Sequence, residues 1–417
     1  MAKLSIKDLQ EIRGKMVIVR VDYNVPLDDA GAITDDKRIK ATTQTVEHLW
    51  QNGARVVLAS HLGRPKGKRD PKQSLRVVAQ RAAELFSRPV AFVDDCIGDK
   101  VEKTKAIMQP GDILLLENLR FYAEEEKNDA GFAAKLATGI DLYVNDAFGT
   151  AHRAHASTAG VPEIIKKRGG RAAAGFLMEK ELQHLGTALA NPARPFVCIL
   201  GGAKISGKID VINNLLSKAD AILIGGAMSY TFRKSQGFGI GRSLVENDKL
   251  DVAKSLLEKV GQASRLSSPG GGTGGTPVLP CRFLLPLDQI QTTEIKAGAP
   301  KRVTDGPSIE DGWEGVDIGP QTIEAYKKVI ATAKTIVWNG PMGVFEIPDF
   351  STGTFEVAKA IAANKGCTSI IGGGDSAKAV KSAGVAKEMT FISTGGGASL
   401  EFLEGKALPG VAALSDK

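Results

Sequence analysis

At 417 residues the chain is longer than one hydrophobic core usually organises, so two domains are the expectation. Its composition, 43% hydrophobic, 24% charged and 6% aromatic, suits a compact α/β protein and excludes a disordered or fibrous class over most of its length. The formal net charge of +7 admits nucleic acid, an anionic membrane or acidic small molecules as partners, and only the placement of the basic residues chooses among them.

In chain order, residues 1–20 scatter charges through the sequence without an apolar stretch for export, and no run of 18 or more apolar residues occurs anywhere. A cytoplasmic chain outside the membrane is expected. Cys96, Cys198, Cys281 and Cys367 lie far apart with no CxxC spacing, which favours reduced thiols over zinc sites or a disulfide framework. Short aliphatic runs at 16–22 (MVIVRVD), 55–60 (RVVLAS), 112–118 (DILLLEN) and 141–146 (DLYVND) read as strands separated by helical patterns. Residues 175–191 carry apolar positions at helical spacing and stop at Asn-Pro, so they predict a helix between domains. The rhythm resumes at 195–202, 221–226, 335–340, 368–374 and 389–394, with a helix at 250–260 and a strand from RFLLPLD. Between those last two, 262–280 (QASRLSSPGGGTGGTPVLP) predicts a mobile surface loop, because it offers too little apolar surface to offset its ordering entropy.

Strands alternating with helices imply right-handed crossovers and parallel sheets whose ligands bind at the carboxyl ends of the strands. The fold expectation is α/β: two doubly wound, Rossmann-like parallel-sheet domains joined by a helix, with a cleft between them.

What stands at those strand ends differs between the halves. In the first half it is Asp22 and Asn24 (RVDYNVP), Ser60, His61 and Arg64 (SHLGRP), Arg120 (ENLRF), and His152 and Arg153 (NDAFGTAHRAHAS), with Arg38 in DDKRI. A single arginine is more often a solvated surface charge. Several converging on one cleft would repel one another, which makes sense chiefly for a multiply anionic ligand held bidentately, with Asp22 and Asn24 on a hydroxyl. The aromatic interleaving of single-stranded nucleic-acid sites is missing, so a small anion fits better.

The second-half strands end in glycine. Residues 201–209 (GGAKISGKI) follow a strand and open a helical pattern, a setting in which backbone N–H groups and lysines meet phosphate; close helix–strand packing is the structural alternative. Residues 202–208 match GxxxxGK, but a Walker A loop needs Ser or Thr next to hold magnesium, and Ile209 stands there. Further turns occur at Gly225 and Gly226, at 372–376 and at 395–399. Asp375 suits a magnesium ligand or an N-cap, and Glu346, in the turn-rich 338–346, a ribose partner or a surface carboxylate.

The motifs RVDYNVP, SHLGRP, LLENLRFY, NDAFGTAHRAHAS, GGAKISGKI, VWNGPMGVFE, IIGGGDSAKAV and STGGGASLEFLEGKALPGVAAL, in this order, resemble the phosphoglycerate kinases over nearly the whole chain outside 262–280. The resemblance implies reversible phosphoryl transfer from 1,3-bisphosphoglycerate to ADP, direct and in line after hinge closure, in a monomer that needs neither nucleic acid nor membrane. It implies 3-phosphoglycerate binding by Asp22, Asn24, Arg38, His61, Arg64, Arg120, His152 and Arg153. Nucleotide contacts are implied for Gly201, Gly202, Ala203, Lys204, Lys208, Gly226, Gly315, Asn339, Glu346, Gly373, Gly374, Asp375 and Ser376, with Mg2+ at Asp375. Because the reaction needs charge stabilisation rather than a nucleophile, the expected catalytic donors are Arg38, Lys204, Lys208 and the amides of Gly395, Gly396 and Gly397. The implied division is 1–174 with 405–417 as the phosphoglycerate-binding domain, 175–191 as the connecting helix and 192–404 as the nucleotide-binding domain. One departure stands out: the family usually has Asp where this chain has Gly207, beside Lys208.

Overall fold

A computed structural model describes residues 3–266 and 281–417. Contacts divide the chain into one unit of Met1–Gln183 with Ala407–Lys417 and a second of His184–Lys406. The boundary falls inside the helix Phe176–Ala190.

In the first unit β1 (Met16–Val21), β2 (Arg55–Ala59), β3 (Ala91–Val93), β4 (Ile113–Leu116), β5 (Leu142–Asp146) and β6 (Ala172–Ala174) form one sheet in the order β3-β4-β2-β1-β5-β6. Every pairing in it is parallel. The central strand β1 is buried at all six positions, as a strand covered by helices on both faces must be. Its apolar side chains join Val46, Leu49, Val78 and Phe86 from the flanking helices in one core. The last segment of the chain belongs to this unit: Ser415 O accepts from Leu4 N at 2.8 Å, and Ser415 N donates to Ala172 O at 2.8 Å. Asp146, at the end of β5, accepts at Oδ1 from the N–H groups of Leu177 (2.9 Å) and Met178 (3.2 Å), capping the helix Phe176–Ala190. Burial pushes its carboxyl up to about 7.

The second unit contains β7 (Phe196–Leu200), β8 (Ala221–Ile224), β9 (Arg282–Leu284), β10 (Gln289–Thr292), β11 (Lys301–Val303), β12 (Glu314–Ile318), β13 (Thr335–Asn339), β14 (Thr368–Gly372) and β15 (Phe391–Ile392). Six of these make a parallel sheet ordered β15-β14-β13-β7-β8-β9 around a core that includes Trp338, Ile199 and Ile371. The other three form a small antiparallel sheet, β11-β10-β12, which periodicity did not reveal. Its strands QIQT and KRV are short and polar, so neither an apolar run nor a clean alternation marks them. Likewise β6 is three alanines, a residue depleted in strands. The helix expected at 250–260 runs to Leu266, so residues 262–266 of the expected surface loop are helical; the remainder of that loop lies outside the described residues.

Candidate functional site

At the carboxyl end of β1 the chain turns so that Asp22 meets Arg38, whose Nη1 donates to Asp22 Oδ2 at 2.6 Å. Ser60, following β2, accepts from Tyr23 N at 2.8 Å and so ties the two strand ends together. Asn24 Oδ1 accepts from Gly63 N at 2.8 Å, and Gly63 O accepts from Arg120 Nη1 at 3.0 Å. These bonds gather Asp22, Asn24, Arg38, His61 and Arg120 around one rim. Arg153 Nε donates to the neighbouring His152 Nε2 at 3.2 Å. Arg64 is exposed and, among the described residues, makes no hydrogen bond or ion pair.

Behind the rim is a buried layer that the motifs did not single out. Arg20, only 1% exposed, donates from Nε to Ser157 Oγ at 2.8 Å and approaches His61 Nδ1 with Nη2 at 3.2 Å. Ser157 in turn donates from N and Oγ to the buried Glu125, at 3.0 and 2.5 Å. Glu125 is thereby the carboxylate that answers a buried guanidinium. The sequence held one signal for Arg20, a lone charge in the apolar strand MVIVRV. Nothing marks Glu125 among the glutamates of AEEE.

The electrostatics follow from this crowding. Burial, reinforced by Arg20, Arg120 and Arg38, drives the His61 pKa well below that of an ordinary imidazole. A neutral His61 facing an arginine, which can only donate, must accept at Nδ1 and carry its proton on Nε2. His155 is pushed down to about 4, first by burial and then by Arg120 and Arg20. Burial also lowers the Arg120 pKa, against the pull of Glu126. The Arg120 Nε is buried without a well-aligned hydrogen bond and lies 3.3 Å from Glu126 Oε1, an ion pair that partly offsets its charge.

The second unit builds its strand ends from backbone. Gly201 N donates to Asn339 O and Gly202 N to Pro341 O, both at 3.0 Å, which draws the turn after β7 against the turn after β13. Gly226 N reaches Met342 O at 2.8 Å, and Gly202 O accepts from Met228 N at 3.0 Å. Gly226 has φ +67°, and a Cβ there would lie 2.6 Å from both Gly202 N and Gly202 O, so no other residue fits without displacing that turn. Ser376 Oγ accepts from Gly340 N at 2.7 Å, bringing the helix Gly374–Ser382 to the same place. Gly315 N donates to Ser243 Oγ at 2.9 Å, next to Leu244, an apolar side chain left 53% exposed.

Two kinds of lysine serve this turn. Lys208 is buried and donates from Nζ to Asn339 Oδ1; burial lowers its pKa to about 8, with Glu404 pulling the other way. Lys204 is exposed beside Ala203 and forms no ion pair among the described residues. Asp375 is exposed in the first turn of the helix Gly374–Ser382, after Gly373 at φ +88°. Gly395 N donates to Ser393 Oγ at 3.0 Å, and Gly396 caps the helix Gly397–Leu403. Glu346 is exposed past Val344, whose N bonds Val316 O on β12; no bond among the described residues joins it to the glycine turns.

One parallel sheet ending in guanidinium groups and a second ending in glycine turns with lysines fit a phosphotransferase acting on small molecules. Comparison with known proteins makes the class specific. The family model described as phosphoglycerate kinase matches residues 6–406. The phosphoglycerate kinase of Solibacter usitatus is 54% identical over 418 residues, 99% of this chain and all of its own. That of Dictyoglomus turgidum is 53% identical over 419 residues, covering the whole of both chains. Among solved structures, phosphoglycerate kinase from Coxiella burnetii superposes with a TM-score of 0.86 at 38% identity, over 99% of this chain and 98% of that one. The chain belongs to the phosphoglycerate kinase family. It is a carboxyl-group phosphotransferase, and its reaction is the glycolytic, ATP-generating transfer from 1,3-bisphosphoglycerate to ADP.

Proposed function

We propose that the two ligands divide between the units: the acid is held by Asp22, Asn24, Arg38, His61, Arg64, Arg120, His152 and Arg153, the nucleotide by the glycine turns of the second. The observation that carries this is the contrast at the strand ends. The first unit gathers cations with a buried carboxylate behind them, and the second gathers crowded backbone, N–H groups and Lys208. Phosphoglycerate, with both a carboxylate and a phosphate, needs several fixed donors, which guanidinium groups supply. A pyrophosphate needs close backbone approach, which glycine allows. The exposed Leu244 beside Gly315 offers an apolar wall for the base, and Glu346 a carboxylate for the ribose.

Transfer then runs in line from the acyl phosphate to the terminal oxygen of ADP without a covalent enzyme intermediate, because the acyl phosphate already has a good leaving group. Arg38, Lys204, Lys208 and the amides of Gly395, Gly396 and Gly397 meet the charge spread over the equatorial oxygens. Since acid and nucleotide are assigned to different units, the units must close for transfer, which also excludes water. Asp375, exposed at a helix start and free of any ion pair among the described residues, would hold a magnesium, directly or through water. Magnesium, when bound, neutralises phosphate charge. The enzyme works as a monomer in the cytoplasm; family membership supports this, and no helix among the described residues is long and apolar enough to cross a membrane.

A coupled assay of ATP consumption tests the reading. ATP turnover is expected to require both 3-phosphoglycerate and magnesium, and turnover without the acid would contradict the assignment.

A further inference from the structure

The turn between β7 and the helix Ile209–Leu216 is pinned at three places. Gly201 and Gly202 hold its start against the 339–341 backbone, and Ile205 is fully buried at its middle. The third place is Ser206, and its partner comes from far away in sequence. Glu246 accepts from Ser206 N at 3.0 Å with Oε2 and from Ser206 Oγ at 2.6 Å with Oε1. Both carboxylate oxygens are thus committed to one residue of the turn, in the two-point geometry that fixes orientation as well as distance. Burial alone would raise the Glu246 pKa, but the hydrogen bonds from Ser206, with that from the Ile205 backbone, outweigh it and hold the carboxyl below its ordinary value.

Glu246 is itself held. Its N–H donates to Thr231 Oγ1 at 3.2 Å, and Thr231 is buried in the helix Met228–Ser235. That helix starts just after Gly226, which packs on Gly202. A closed circuit results, from Gly202 through Gly226, the helix, Thr231 and Glu246 back to Ser206, with the exposed Ala203 and Lys204 inside it. Gly207 contributes no brace: a Cβ built there finds nothing within 4 Å. Without a side chain at 207, the exposed part of this stretch is tied down by Ser206 through Glu246, between the buried Ile205 and Lys208, which donates to Asn339 Oδ1.

We propose that Glu246 is a positioning residue of the nucleotide site, which through Ser206 holds the 203–208 turn in the shape that presents its amides and lysines to phosphate. This rests on the reading that the turn binds the nucleotide's phosphates. Glu246 itself touches no ligand; it sets where Lys204 and Lys208 stand before the ligand arrives, which spares binding the cost of ordering the turn.

Titrations of the full chain with ADP, adenosine and 3-phosphoglycerate test it. Glu246→Ala is expected to weaken ADP on the order of tenfold, the scale of a lost charge-assisted hydrogen-bond pair, and to leave adenosine and 3-phosphoglycerate unchanged. Ser206→Ala should have the same selectivity with a smaller loss, Glu246→Gln should fall between, and adding Ser206→Ala to Glu246→Ala should cost nothing more. Unchanged ADP affinity in Glu246→Ala overturns the proposal, as does an equal loss for adenosine, which marks general loosening of the unit. Should Glu246→Ala fail to fold, Glu246→Gln and Ser206→Ala decide by the same criteria. Lys204→Ala separates the two levels. If it weakens ADP while the Glu246 and Ser206 variants do not, only the positioning role falls; if it leaves ADP unchanged, the phosphate-turn reading falls with it.

Discussion

The two units solve related problems with opposite materials. At the ends of the first sheet, anion recognition is assembled from charged side chains. Guanidinium groups are held by carboxylates and by neutral histidine, with a buried Arg20, Ser157 and Glu125 layer behind them. At the ends of the second, the equivalent space is shaped by backbone packed so closely that Gly226 lies against Gly202 with no room for a methyl group. Side-chain charge discriminates by number and geometry, which suits a small acid with a carboxylate and a phosphate. Backbone donors cannot titrate or change rotamer, which suits the repetitive oxygens of a nucleotide tail.

That contrast can be broken in four places. The largest expected effect is at Arg38, the one rim arginine paired to Asp22: Arg38→Ala should lower kcat by roughly 10²–10⁵, the range for lost transition-state charge stabilisation, with the fold retained by circular dichroism. Near-normal turnover would remove it from the chemistry.

Next comes the buried polar side of the first unit. Asp146 has its folded pKa raised to about 7 by burial, against about 4 in an unfolded chain. The folded state therefore binds the proton more tightly, so its contribution is fully present below pH ~4 and is lost as pH rises through ~7. Denaturant titrations across that window should show wild-type stability declining by a few kcal/mol, about 1.4 kcal/mol for each pH unit separating the two values, and the slope flattened in Asp146→Asn. An unaltered slope in the variant would assign the titration to another group.

For the second unit the corresponding test is steric. Gly226→Ala forces a Cβ to 2.6 Å from Gly202 backbone at a positive φ, so a loss of about 1–3 kcal/mol and weaker ADP binding are expected, with 3-phosphoglycerate affinity kept. Equal weakening of both ligands would mean that the turn is not specific to the nucleotide. Smallest is Gly207→Asp. The added side chain enters open space without backbone strain, so stability should hardly move, while a magnesium titration of activity should shift more than the KM for the acid. A superimposable magnesium curve would show position 207 to be indifferent.

The aliphatic parallel strands were legible because helices cover both faces and leave continuous apolar runs, as in MVIVRV and FVCIL. The antiparallel β10, β11 and β12 were not, because β11 is exposed at every position and carries no periodic signal. Within the site, Asp22 and Arg120 were visible as polar residues following apolar strands, whereas Arg38 stood apart in DDKRI, on the short helix Lys37–Lys40. Glu125 and Glu246 were not, since their significance lies in Ser157 and Ser206, 32 and 40 residues away in sequence. Arg20 falls between: a charge inside a buried strand is a signal, but the strand's alternation assigns it a face and not a partner.

The division of ligands between the units is tested most directly by calorimetric titration of 3-phosphoglycerate and of ADP into Arg38→Ala and Lys208→Ala. A crossed pattern is predicted: Arg38→Ala loses affinity for the acid and keeps ADP, and Lys208→Ala loses ADP and keeps the acid. Parallel losses of both ligands in both variants, or the reverse assignment, would contradict it.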